Sequence, residues 1–527
     1  MKINPILHQQ MPNGPHIKYN NIKDLFLEKV ELNPNKTFLI IHGEEKEEFT
    51  YAQFQDQVYS TINFLLKNNL RKNDTISLIF HNSSEFLTLY FAGLFCGITV
   101  VPINPDMSSN EIEYIIENSN SKTIFFTNTL ESKINSIQKN LHEKSFIKIH
   151  KTSDFTNSYH NIENLQLEEV DILDVGVIIY TSGTTGNPKG VILSHLNLLS
   201  DAMSISKWFE FNDKTRCLCI LPLFHNNGQI TTLLAPLYSG GSTVITRGKV
   251  SLLAFWFLIN QYTITWTSVM SSILSILLSF SEERTDNSLI GILCGGQILT
   301  DSVQKQFESR FSVPIFEGYG LTETTSFSCI NGYPSTKREP GSIGKPLVCN
   351  VMAILNENEL EVDDDEEGEI CIRGYNVANG YLGNNDMNNV FKNGWFHSGD
   401  YGHKDKNGNY YFHGRQDSLI IKGGENIYPR DIENVLYKHP LIDECAAIGI
   451  PDKFLGENIC VFVKVKSNKK INENELKNFF RNKLADFKQP KKIIIINELN
   501  NLHEIPKGPT KKILYRKLKE YYNENYN

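Results

Sequence analysis

Short apolar runs alternate with amphipathic stretches through the first 340 residues of the chain. Residues 50–66 predict a helix, because Thr50 and Gln53 have the spacing of a capping box and apolar residues recur on one face. The apolar runs TISLIF and TVVP flank the helical segment EFLTLYFAGLF, which predicts a strand–helix–strand unit. Similar apolar runs are KTIFF (122–126), VGVIIY (175–180) and STVIT (242–246). Alternation of this kind is typical of α/β folds with buried parallel strands.

The pattern changes after about residue 340, where glycines and short alternating strands dominate. The segments EICIRG (369–374) and YYFHGR (410–415) predict antiparallel strands, with a tight hairpin at Asn407-Gly408. Beyond Asp417 the pattern predicts a separate small unit of two helices and three strands. We therefore expect an α/β fold: an N-terminal domain (residues 1–416) of parallel-sheet α/β subdomains plus a β-rich subdomain, and a small α+β C-terminal domain (residues 417–527).

The composition is that of an ordinary globular protein, since 40% of the 527 residues are hydrophobic and 21% are charged. This excludes a disordered, collagenous or disulfide-stapled chain, and the length predicts roughly two to four lobes. A net charge of −8 gives no reason to expect nucleic acid or an anionic membrane as the main partner. Nine cysteines without a CxxC pair signal neither a zinc site nor a redox dithiol and fit free thiols in a reducing compartment. Because no apolar leader opens the chain, the expected location is the cytoplasm.

Residues 250–281 imitate a membrane span, because they contain no charged residue and include the apolar runs LLAFWFLI and SILSILLSF. Asn260, Gln261 and several Ser and Thr residues interrupt the stretch, so an unbroken apolar run of about 18 residues does not occur. We predict a buried helix, a strand and a second helix here, and no transmembrane segment.

The segment YTSGTTGNPKG (180–190) carries the strongest chemical signal. It lies between VGVIIY and VILSHLNLL, which looks like a strand leading to a helix. Glycines let backbone N–H groups approach an anion, and hydroxyls and a lysine add donors and charge, so the segment is suited to hold phosphates. It is not a Walker loop, because Gly190 follows the lysine where that motif needs Ser or Thr. The candidate ATP-binding residues are Thr181, Ser182, Gly183, Thr184, Thr185, Gly186 and Lys189.

This segment resembles the phosphate-loop signature of the adenylate-forming superfamily, which includes acyl-CoA synthetases, 4-coumarate-CoA ligases, luciferases and peptide-synthetase adenylation domains. Further segments match that superfamily in the same order along nearly the whole chain: LPLFHNNG (221–228), EGYGLTET (317–324), GWFHSGD (394–400), GRQDSLIIKGGENIYPRDIE (414–433) and IPKGPTKKIL (505–514). The resemblance implies a large N-terminal domain, a small mobile C-terminal domain and a hinge near Asp417.

The resemblance also assigns a nucleotide site. It implies that Tyr319 stacks on adenine, Thr322 bonds the α-phosphate and Glu323 holds Mg²⁺, a hard cation that prefers oxygen ligands. Asp400 is expected to bond the ribose hydroxyls, as acidic residues do in dinucleotide sites, and Arg415 to add a ribose or phosphate contact. The candidate nucleotide-binding residues of these segments are Gly318, Tyr319, Gly320, Thr322, Asp400 and Arg415.

The match of IPKGPTKKIL places Lys512 in the active site, although composition alone would favour a solvated basic helix end. A carboxylate must attack the α-phosphorus of ATP, so two anions meet, and Mg²⁺ and Lys512 would supply the positive charge that this step needs. Lys511 stands where most relatives have glycine. The expected catalytic residues are Lys512, Glu323, Thr322 and His225.

A second half-reaction needs a surface for the acid and a thiol. The resemblance implies that the small domain rotates after adenylation, withdraws Lys512 and brings the segment that starts at Lys422 to the site, where glycines let a pantetheine arm pass close to the backbone. No aspartate stands where amino-acid adenylation domains hold the substrate amine. The predicted acyl pocket is less apolar than a long-chain fatty-acid tunnel, because it contains Asn226, Asn227 and Gln297. The candidate acyl- and CoA-binding residues are His225, Gly295, Gly296, Gln297, Lys422, Gly423 and Gly424.

We therefore expect an AMP-forming carboxylate–CoA ligase, an acid–thiol ligase of the kind found in fatty acid metabolism, that makes acyl-AMP and pyrophosphate and then acyl-CoA and AMP. Its expected partners are a small carboxylic acid, ATP, Mg²⁺ and CoA. An alternative within the superfamily loads the acyl group onto the phosphopantetheine of a separate acyl carrier protein. Two further alternatives are a regulatory nucleotide-binding protein, which the intact Lys512, Glu323 and Asp400 argue against, and an ATPase, which would release ADP.

Overall fold

Four β-sheets with flanking helices make up the chain, as seen in a computed structural model. The structure describes residues 14–142, 148–156, 167–181, 187–248, 252–279, 288–297, 299–332, 337–383, 390–467, 469–481, 483–499, 501–508 and 513–526. Two sheets are largely parallel, one is antiparallel and one is mixed, so the predicted α/β class is confirmed.

The helices and strands alternate along the first half of the chain. The helices are α1 (Ile22–Leu32), α2 (Tyr51–Lys67), α3 (Ser84–Cys96), α4 (Ser109–Asn118), α5 (Glu131–His142), α6 (Thr152–Thr156), α7 (His195–Trp208), α8 (Asn226–Gln229), α9 (Ala235–Tyr238), α10 (Phe255–Gln261), α11 (Ser271–Ser279), α12 (Asp301–Phe311), α13 (Pro429–Leu436), α14 (Glu473–Arg481) and α15 (Tyr515–Tyr526). The strands are β1 (Thr37–His42), β2 (Glu47–Thr50), β3 (Thr75–Ile79), β4 (Thr99–Ile103), β5 (Thr123–Phe126), β6 (Lys148–Lys151), β7 (Val175–Thr181), β8 (Lys189–Ser194), β9 (Arg216–Cys219), β10 (Ser242–Thr246), β11 (Trp266–Val269), β12 (Gly291–Gly295), β13 (Ile315–Tyr319), β14 (Cys329–Ile330), β15 (Lys345–Pro346), β16 (Asn350–Leu355), β17 (Gly368–Gly374), β18 (Phe391–Lys392), β19 (Trp395–Lys404), β20 (Tyr410–Arg415), β21 (Ile420–Lys422), β22 (Glu425–Ile427), β23 (Ile442–Asp452), β24 (Gly456–Val465) and β25 (Lys492–Ile495).

The largest sheet has nine strands in the order β15-β14-β13-β12-β11-β9-β10-β1-β2. Its six central strands pair in parallel, and β2, β14 and β15 are antiparallel additions at the edges. Every residue of β10, β11 and β12 is buried, as expected of parallel strands covered on both faces. The carboxyl ends of β11, β12 and β13 therefore meet at one edge, where connecting loops can build a site.

The second parallel-rich sheet has the order β6-β5-β3-β4-β7-β8. Strands β7 and β8 pair in antiparallel fashion, with Thr181 opposite Lys189. The glycine- and threonine-rich segment thus connects strands β7 and β8. Strand β8 separates the segment from helix α7, whose N-cap residue is Ser194.

Helix α2 shows how closely local sequence and structure agree. It begins at Tyr51, where the Gln53 N–H donates to Thr50 Oγ1 (3.2 Å) and the Thr50 N–H donates to Gln53 Oε1 (2.9 Å), the predicted capping box. Its buried face adds to a cluster of phenylalanine rings from α1, α2, α3 and β1, whose neighbouring centroids lie 5.3–6.2 Å apart. The members are Phe26, Phe38, Phe54, Phe91 and Phe95.

The two remaining sheets are smaller. The antiparallel sheet β16-β17-β19-β18 has β20 beside β19, and Gly408 takes a φ of 77° in the predicted turn between them. The mixed sheet β22-β21-β24-β23 has β25 parallel to β24. The two core clusters on this last sheet contain only residues from Ile420 onwards, so it has a core of its own.

The uncharged stretch at residues 250–281 contains helix α10, strand β11 and helix α11, as predicted. Leu258, Ile259 and Leu274 pack into a buried cluster of the nine-stranded sheet. Among the described residues, no helix combines the length and the apolar character needed to cross a membrane.

Candidate active site

The ends of β12 and β13 form the floor of the candidate site. Gly295 pairs with Gly318, and Tyr319 is the last residue of β13. A Cβ atom on Gly295 would lie 2.4 Å from the Phe327 ring, and one on Gly318 would lie 2.5 Å from it. These glycines are therefore required by the packing of Phe327, a steric reason that the sequence motif does not reveal.

A tyrosine, an aspartate and an arginine form a polar cluster beside this floor. The Tyr319 hydroxyl donates to Asp400 Oδ2 at 2.7 Å, and Arg415 Nε lies 3.2 Å from Asp400 Oδ1. Asp400 on β19 and Arg415 on β20 are paired across the sheet, which fixes their separation. Burial and the neighbouring Asp400 charge hold the pKa of Tyr319 well above its usual range. Three predicted nucleotide-binding residues are thus brought into contact.

A second polar cluster forms around Glu323. The Tyr381 hydroxyl donates to Glu323 Oε1 at 2.7 Å, and Lys189 Nζ lies 5.3 Å from the centroid of the Tyr381 ring. Burial, with the Glu323 charge, raises the pKa of Tyr381 above its usual range. Tyr381 therefore links the predicted Mg²⁺ ligand to the lysine of the predicted phosphate segment, although the motif comparison did not single it out.

The backbone after Glu323 makes a strained turn. Thr325 has φ 66° and ψ −63°, and the Ser326 N–H donates to the Thr324 carbonyl at 2.8 Å, which defines a γ-turn of the rare, positive-φ form. A β-branched residue adopts this conformation only when its surroundings impose it. The turn directly follows the 3₁₀ residues Thr322–Thr324, which include Glu323.

Two asparagine side chains, one buried and one half-buried, hold this turn in place. The Asn376 amide donates to the Thr324 carbonyl at 3.2 Å and to the Phe327 carbonyl at 3.1 Å, and the Thr325 hydroxyl donates to the Asn376 carbonyl at 2.6 Å. The Asn226 amide donates to the Thr325 carbonyl. Asn376 and Asn226 lie 150 positions apart in the sequence, so only the fold brings them to the same turn.

A steric limit also applies to Gly320. A Cβ atom on Gly320 would lie 1.8 Å from the Ser326 carbonyl oxygen, so no other residue fits between β13 and the γ-turn. Thr322 opens the short 3₁₀ turn that carries Glu323, and its side chain is half-buried.

The predicted acyl region lies at the carboxyl ends of β11 and β12. The Ser271 hydroxyl and the Ser272 N–H both donate to Gln297 Oε1 at 3.3 Å, and the Ser268 hydroxyl donates to Asn227 Oδ1 at 2.8 Å. His225 caps α8 and contacts Phe224 edge to face, with ring centroids 4.8 Å apart. Gly296 takes a φ of 78° and leaves open space where a Cβ would stand. The predicted polar character of this region is present in the structure.

The predicted thiol-side residues form an exposed hairpin. Gly423 (φ 64°) and Gly424 (φ 89°) make the two-residue turn between β21 and β22, in which both positions need a positive φ. Lys422 Nζ donates to the Gln489 carbonyl at 3.2 Å, and partial burial lowers the pKa of this lysine. The turn and the Lys422 hydrogen bond both lie within the C-terminal unit.

One buried arginine connects the C-terminal unit to the nucleotide cluster. Arg430 on α13 is 8% exposed, and its Nη1 donates to the Phe412 carbonyl at 2.7 Å while its guanidinium lies 5.1 Å from the Phe412 ring centroid. Phe412 stacks on Tyr319, with centroids 6.1 Å apart and an interplanar angle of 29°. Burial raises the pKa of Glu317 to about 7, although the Arg430 charge opposes the rise. Motif matching did not assign Phe412 or Arg430 a role.

Several predicted residues lie outside the described part of the chain. These are Ser182, Gly183, Thr184, Thr185, Gly186 and Lys512. Thr181 and Lys189, which belong to the described part of the phosphate segment, pair across strands β7 and β8.

The fold and the site are those of an adenylate-forming enzyme. The features that match are two parallel-rich sheets, a small C-terminal unit and the two polar clusters around Asp400 and Glu323. The "AMP-binding enzyme" family model matches residues 26–382, and the "AMP-binding enzyme C-terminal domain" model matches residues 431–503. The chain belongs to the AMP-binding enzyme family, which confirms the resemblance seen in the sequence.

Named relatives place the chain within this family more closely. Oxalate–CoA ligase of Arabidopsis thaliana is 30% identical over 506 residues, which cover 93% of this chain and 96% of that protein. Sulfoacetate–CoA ligase of Cupriavidus necator is 31% identical over 459 residues, covering 85% and 88%. The structure of o-succinylbenzoate CoA synthetase from Bacillus subtilis in complex with ATP and magnesium ion has a TM-score of 0.83 at 27% identity, covering 94% of this chain and 99% of that one. The same synthetase in complex with its acyl-adenylate intermediate gives a TM-score of 0.84.

Proposed function

We propose that this protein is an AMP-forming carboxylate–CoA ligase. A carboxylate oxygen attacks the α-phosphorus of ATP, pyrophosphate leaves, and an acyl-adenylate forms. The thiolate of CoA then attacks the acyl carbonyl, and AMP leaves as the thioester forms. The observation that carries this proposal is the contact of Tyr319, Asp400 and Arg415 beside the Glu323–Tyr381–Lys189 cluster.

The chain's own residues divide the work of the first step. Tyr319 offers a ring to adenine, and Asp400 offers a carboxylate that Tyr319 and Arg415 already orient for the ribose hydroxyls. Glu323 fits Mg²⁺, because its carboxylate is an oxygen donor whose Oε1 is oriented by the Tyr381 hydroxyl. When bound, Mg²⁺ would neutralise part of the triphosphate charge. The remaining positive charge comes from Lys189 and, by family resemblance, from Lys512.

Lys512 should serve the first half-reaction alone. Lys512→Ala is expected to abolish carboxylate-dependent pyrophosphate release and to spare thioester formation from supplied acyl-AMP, because the second step needs no charge at the α-phosphate. Lys511→Ala is the matched control, since it removes the neighbouring lysine and should keep both steps. Equal loss of both steps in Lys512→Ala would contradict this division.

The domain boundary between residues 416 and 417, with a hinge near Asp417, is part of the proposal. It is supported by the separate core that begins at Ile420. Gly423 and Gly424 are exposed, so a rotation of the C-terminal unit is needed to bring their turn to the acyl-adenylate. Such a rotation has to replace the contact between Arg430 and Phe412, which joins the two units here.

The acceptor is CoA rather than a carrier protein, because the three relatives named above are CoA ligases or a CoA synthetase. A separate acyl carrier protein is not supported by these relatives. Discharge of purified acyl-AMP by free CoA, with an acyl carrier protein as the comparison, tests this choice. Faster discharge by the carrier would favour the alternative.

The acid is short and polar. Gln297, Asn227 and Ser268 line the predicted acyl region with amide and hydroxyl groups, which suit a second polar group on the substrate. The named relatives act on oxalate, sulfoacetate and o-succinylbenzoate, each with a second acidic group, and a role in fatty acid metabolism is not supported by them. Pyrophosphate release across dicarboxylic, sulfonated, aromatic and long-chain acids tests this; a preference for long chains would contradict it.

A cytoplasmic location is also proposed. It is supported by nine cysteines that are all free and buried, as in a reducing compartment. Fractionation of cells with an antibody to the chain tests the location, and recovery in an extracellular or organellar fraction would contradict it.

A further inference from the structure

Three side chains with carboxylate, thiol and imidazole donor atoms meet on one face of the antiparallel sheet. Glu369 and Cys371 are two positions apart on β17, so they point to the same face. His397 on β19 is the direct cross-strand partner of Cys371, which places the two side chains side by side. Within the part of the chain that the structure describes, this is the one group of three His, Cys, Asp or Glu side chains whose donor atoms all lie within 4.8 Å of one another.

The three donor atoms are Glu369 Oε2, Cys371 Sγ and His397 Nδ1. This nitrogen lies 2.8 Å from Glu369 Oε2 and 3.4 Å from Cys371 Sγ. His397 Nε2 is buried and has no hydrogen-bond partner among the described residues. When the imidazole proton is on Nε2, Nδ1 offers its lone pair to a metal; this tautomer exchanges the Nδ1 hydrogen bond to Glu369 for a metal bond and leaves the Nε2–H without an acceptor among the described residues.

We propose that Glu369, Cys371 and His397 form a binding site for Zn²⁺. Thiolate, imidazole and carboxylate are the three ligand types that Zn²⁺ takes, and a water completes a tetrahedron when three protein ligands are present. Metal–ligand lengths of about 2.0–2.3 Å at tetrahedral angles require an S···N separation of about 3.5 Å and an N···O separation of about 3.4 Å. The first already exists, and the second needs the Glu369 carboxylate to withdraw by about 0.6 Å.

The proton balance and the access route follow from the same contacts. Binding releases the Cys371 thiol proton to solvent, because the metal takes the thiolate, and moves the imidazole proton to Nε2. The side chains of Glu369 and His397 are 20% and 9% exposed, so solvent reaches these two ligands, whereas Cys371 is fully buried. Burial, with the Glu369 and Glu359 charges, raises the pKa of the Cys371 thiol above its usual range, so the metal has to displace a firmly held proton.

This site is coupled to the nucleotide cluster through one hydrogen bond. Glu369 Oε1 accepts from the Gly399 N–H at 2.8 Å, and the next residue is Asp400. When Zn²⁺ draws the Glu369 carboxylate away from His397, the hydrogen bond from the Gly399 N–H to Glu369 Oε1 is lengthened or broken. The backbone next to Asp400 then moves. Zn²⁺ bound here is therefore expected to weaken ATP binding.

The test measures metal binding in the full-length protein without turnover, so its failure is separate from that of the proposed function. Protein stripped with EDTA and dialysed is titrated with Zn²⁺ against a chromophoric chelator, and with Co²⁺ as a spectroscopic probe. We expect one Zn²⁺ per chain, a cobalt–thiolate charge-transfer band, and release of about one proton. No stoichiometric binding, or a Co²⁺ complex without a thiolate band, would overturn the proposal.

Matched variants assign the ligands. Cys371→Ser and His397→Gln should each weaken Zn²⁺ binding at least 100-fold, and Cys371→Ser should remove the charge-transfer band. Cys460→Ser changes another buried cysteine, and His403→Gln removes the contact between His403 Nδ1 and His413 Nε2, which lie 2.7 Å apart; both variants should bind Zn²⁺ as the wild type does. Persistence of the band in Cys371→Ser, or its loss in Cys460→Ser, would overturn the assignment. If Cys371→Ser does not fold, the wild-type cobalt spectrum still decides.

A kinetic readout checks the coupling. One equivalent of Zn²⁺, with Mg²⁺ saturating, should raise the KM for ATP in the wild type and leave it unchanged in Cys371→Ser. An equal rise in both proteins would place the inhibitory metal elsewhere.

Discussion

Asn376→Ala should slow adenylation more than it weakens nucleotide binding. The Asn376 amide donates to the carbonyls of Thr324 and Phe327, on either side of the γ-turn at Thr325. Its removal leaves two buried carbonyls without that donor, at about 1–2 kcal/mol each. The turn stores about 1–3 kcal/mol of backbone strain. Because the lost hydrogen bonds and the strain are of the same size, the turn is expected to relax.

A relaxed turn displaces Glu323, which precedes it by two residues. A displacement that adds about 1.4–2.8 kcal/mol to the barrier lowers kcat about 10- to 100-fold. The KM for ATP should change less than about threefold, because the adenine and ribose contacts proposed for Tyr319 and Asp400 do not depend on the turn.

The assay is single-turnover pyrophosphate release with saturating acid, together with thermal unfolding of each variant. Thr325→Gly is the informative companion, because glycine adopts a φ near 66° without the Cβ penalty. The double variant should regain at least threefold in rate over Asn376→Ala. Wild-type kcat in Asn376→Ala, or a double variant no faster than the single one, would refute the idea that a strained turn orients Glu323.

Three further predictions concern single hydrogen bonds and one buried carboxyl. Tyr381→Phe keeps the ring but removes the donor to Glu323 Oε1. Because a hydrogen bond to a charged group contributes about 1.5–3 kcal/mol, kcat/KM for MgATP should fall about tenfold in a steady-state assay. An unchanged kcat/KM would contradict a role of the Tyr381 hydroxyl in orienting Glu323. Asp400→Asn should raise the dissociation constant for ATP at least tenfold by calorimetry, with the acid's KM unchanged. Burial raises the pKa of Glu433 from its ordinary 4.5 to about 7, so the folded protein keeps a proton that the unfolded chain releases, and stability falls as pH rises through this window. Glu433→Gln retains an acceptor for the Tyr515 hydroxyl, so relative to wild type it should gain about 3 kcal/mol in unfolding free energy between pH 4.5 and 8; parallel curves would contradict this.

Local sequence rules accounted for most elements. The Thr50–Gln53 capping box placed the start of α2 within one residue, and period-two or fully apolar runs located β3, β5, β7 and β10. These signals act over fewer than ten residues, so they can be read without knowing the fold. The uncharged stretch was likewise resolved into α10, β11 and α11 because polar residues interrupt it.

Contacts between distant segments could not be predicted in this way. Tyr381 reaches Glu323 from 58 positions away, and Asn376 reaches Thr324 from 52. The zinc candidate was missed for a similar reason, since its members combine an i, i+2 pair on one strand with a cross-strand partner and show no CxxC spacing. The sequence offers Gly318 only as a candidate nucleotide-binding residue, whereas the structure adds the Phe327 ring that excludes a side chain there.

In the proposed reaction, an organic acid captures the adenylyl group of ATP and passes its acyl group to CoA. Chromatography of the nucleotide after incubation with Mg²⁺, CoA and a panel of short polar acids measures this reaction. AMP and pyrophosphate are expected in equal amounts, formed only when an acid is present, with one acyl-CoA per AMP. Release of ADP, or ATP left intact across the whole panel, would rule the reaction out.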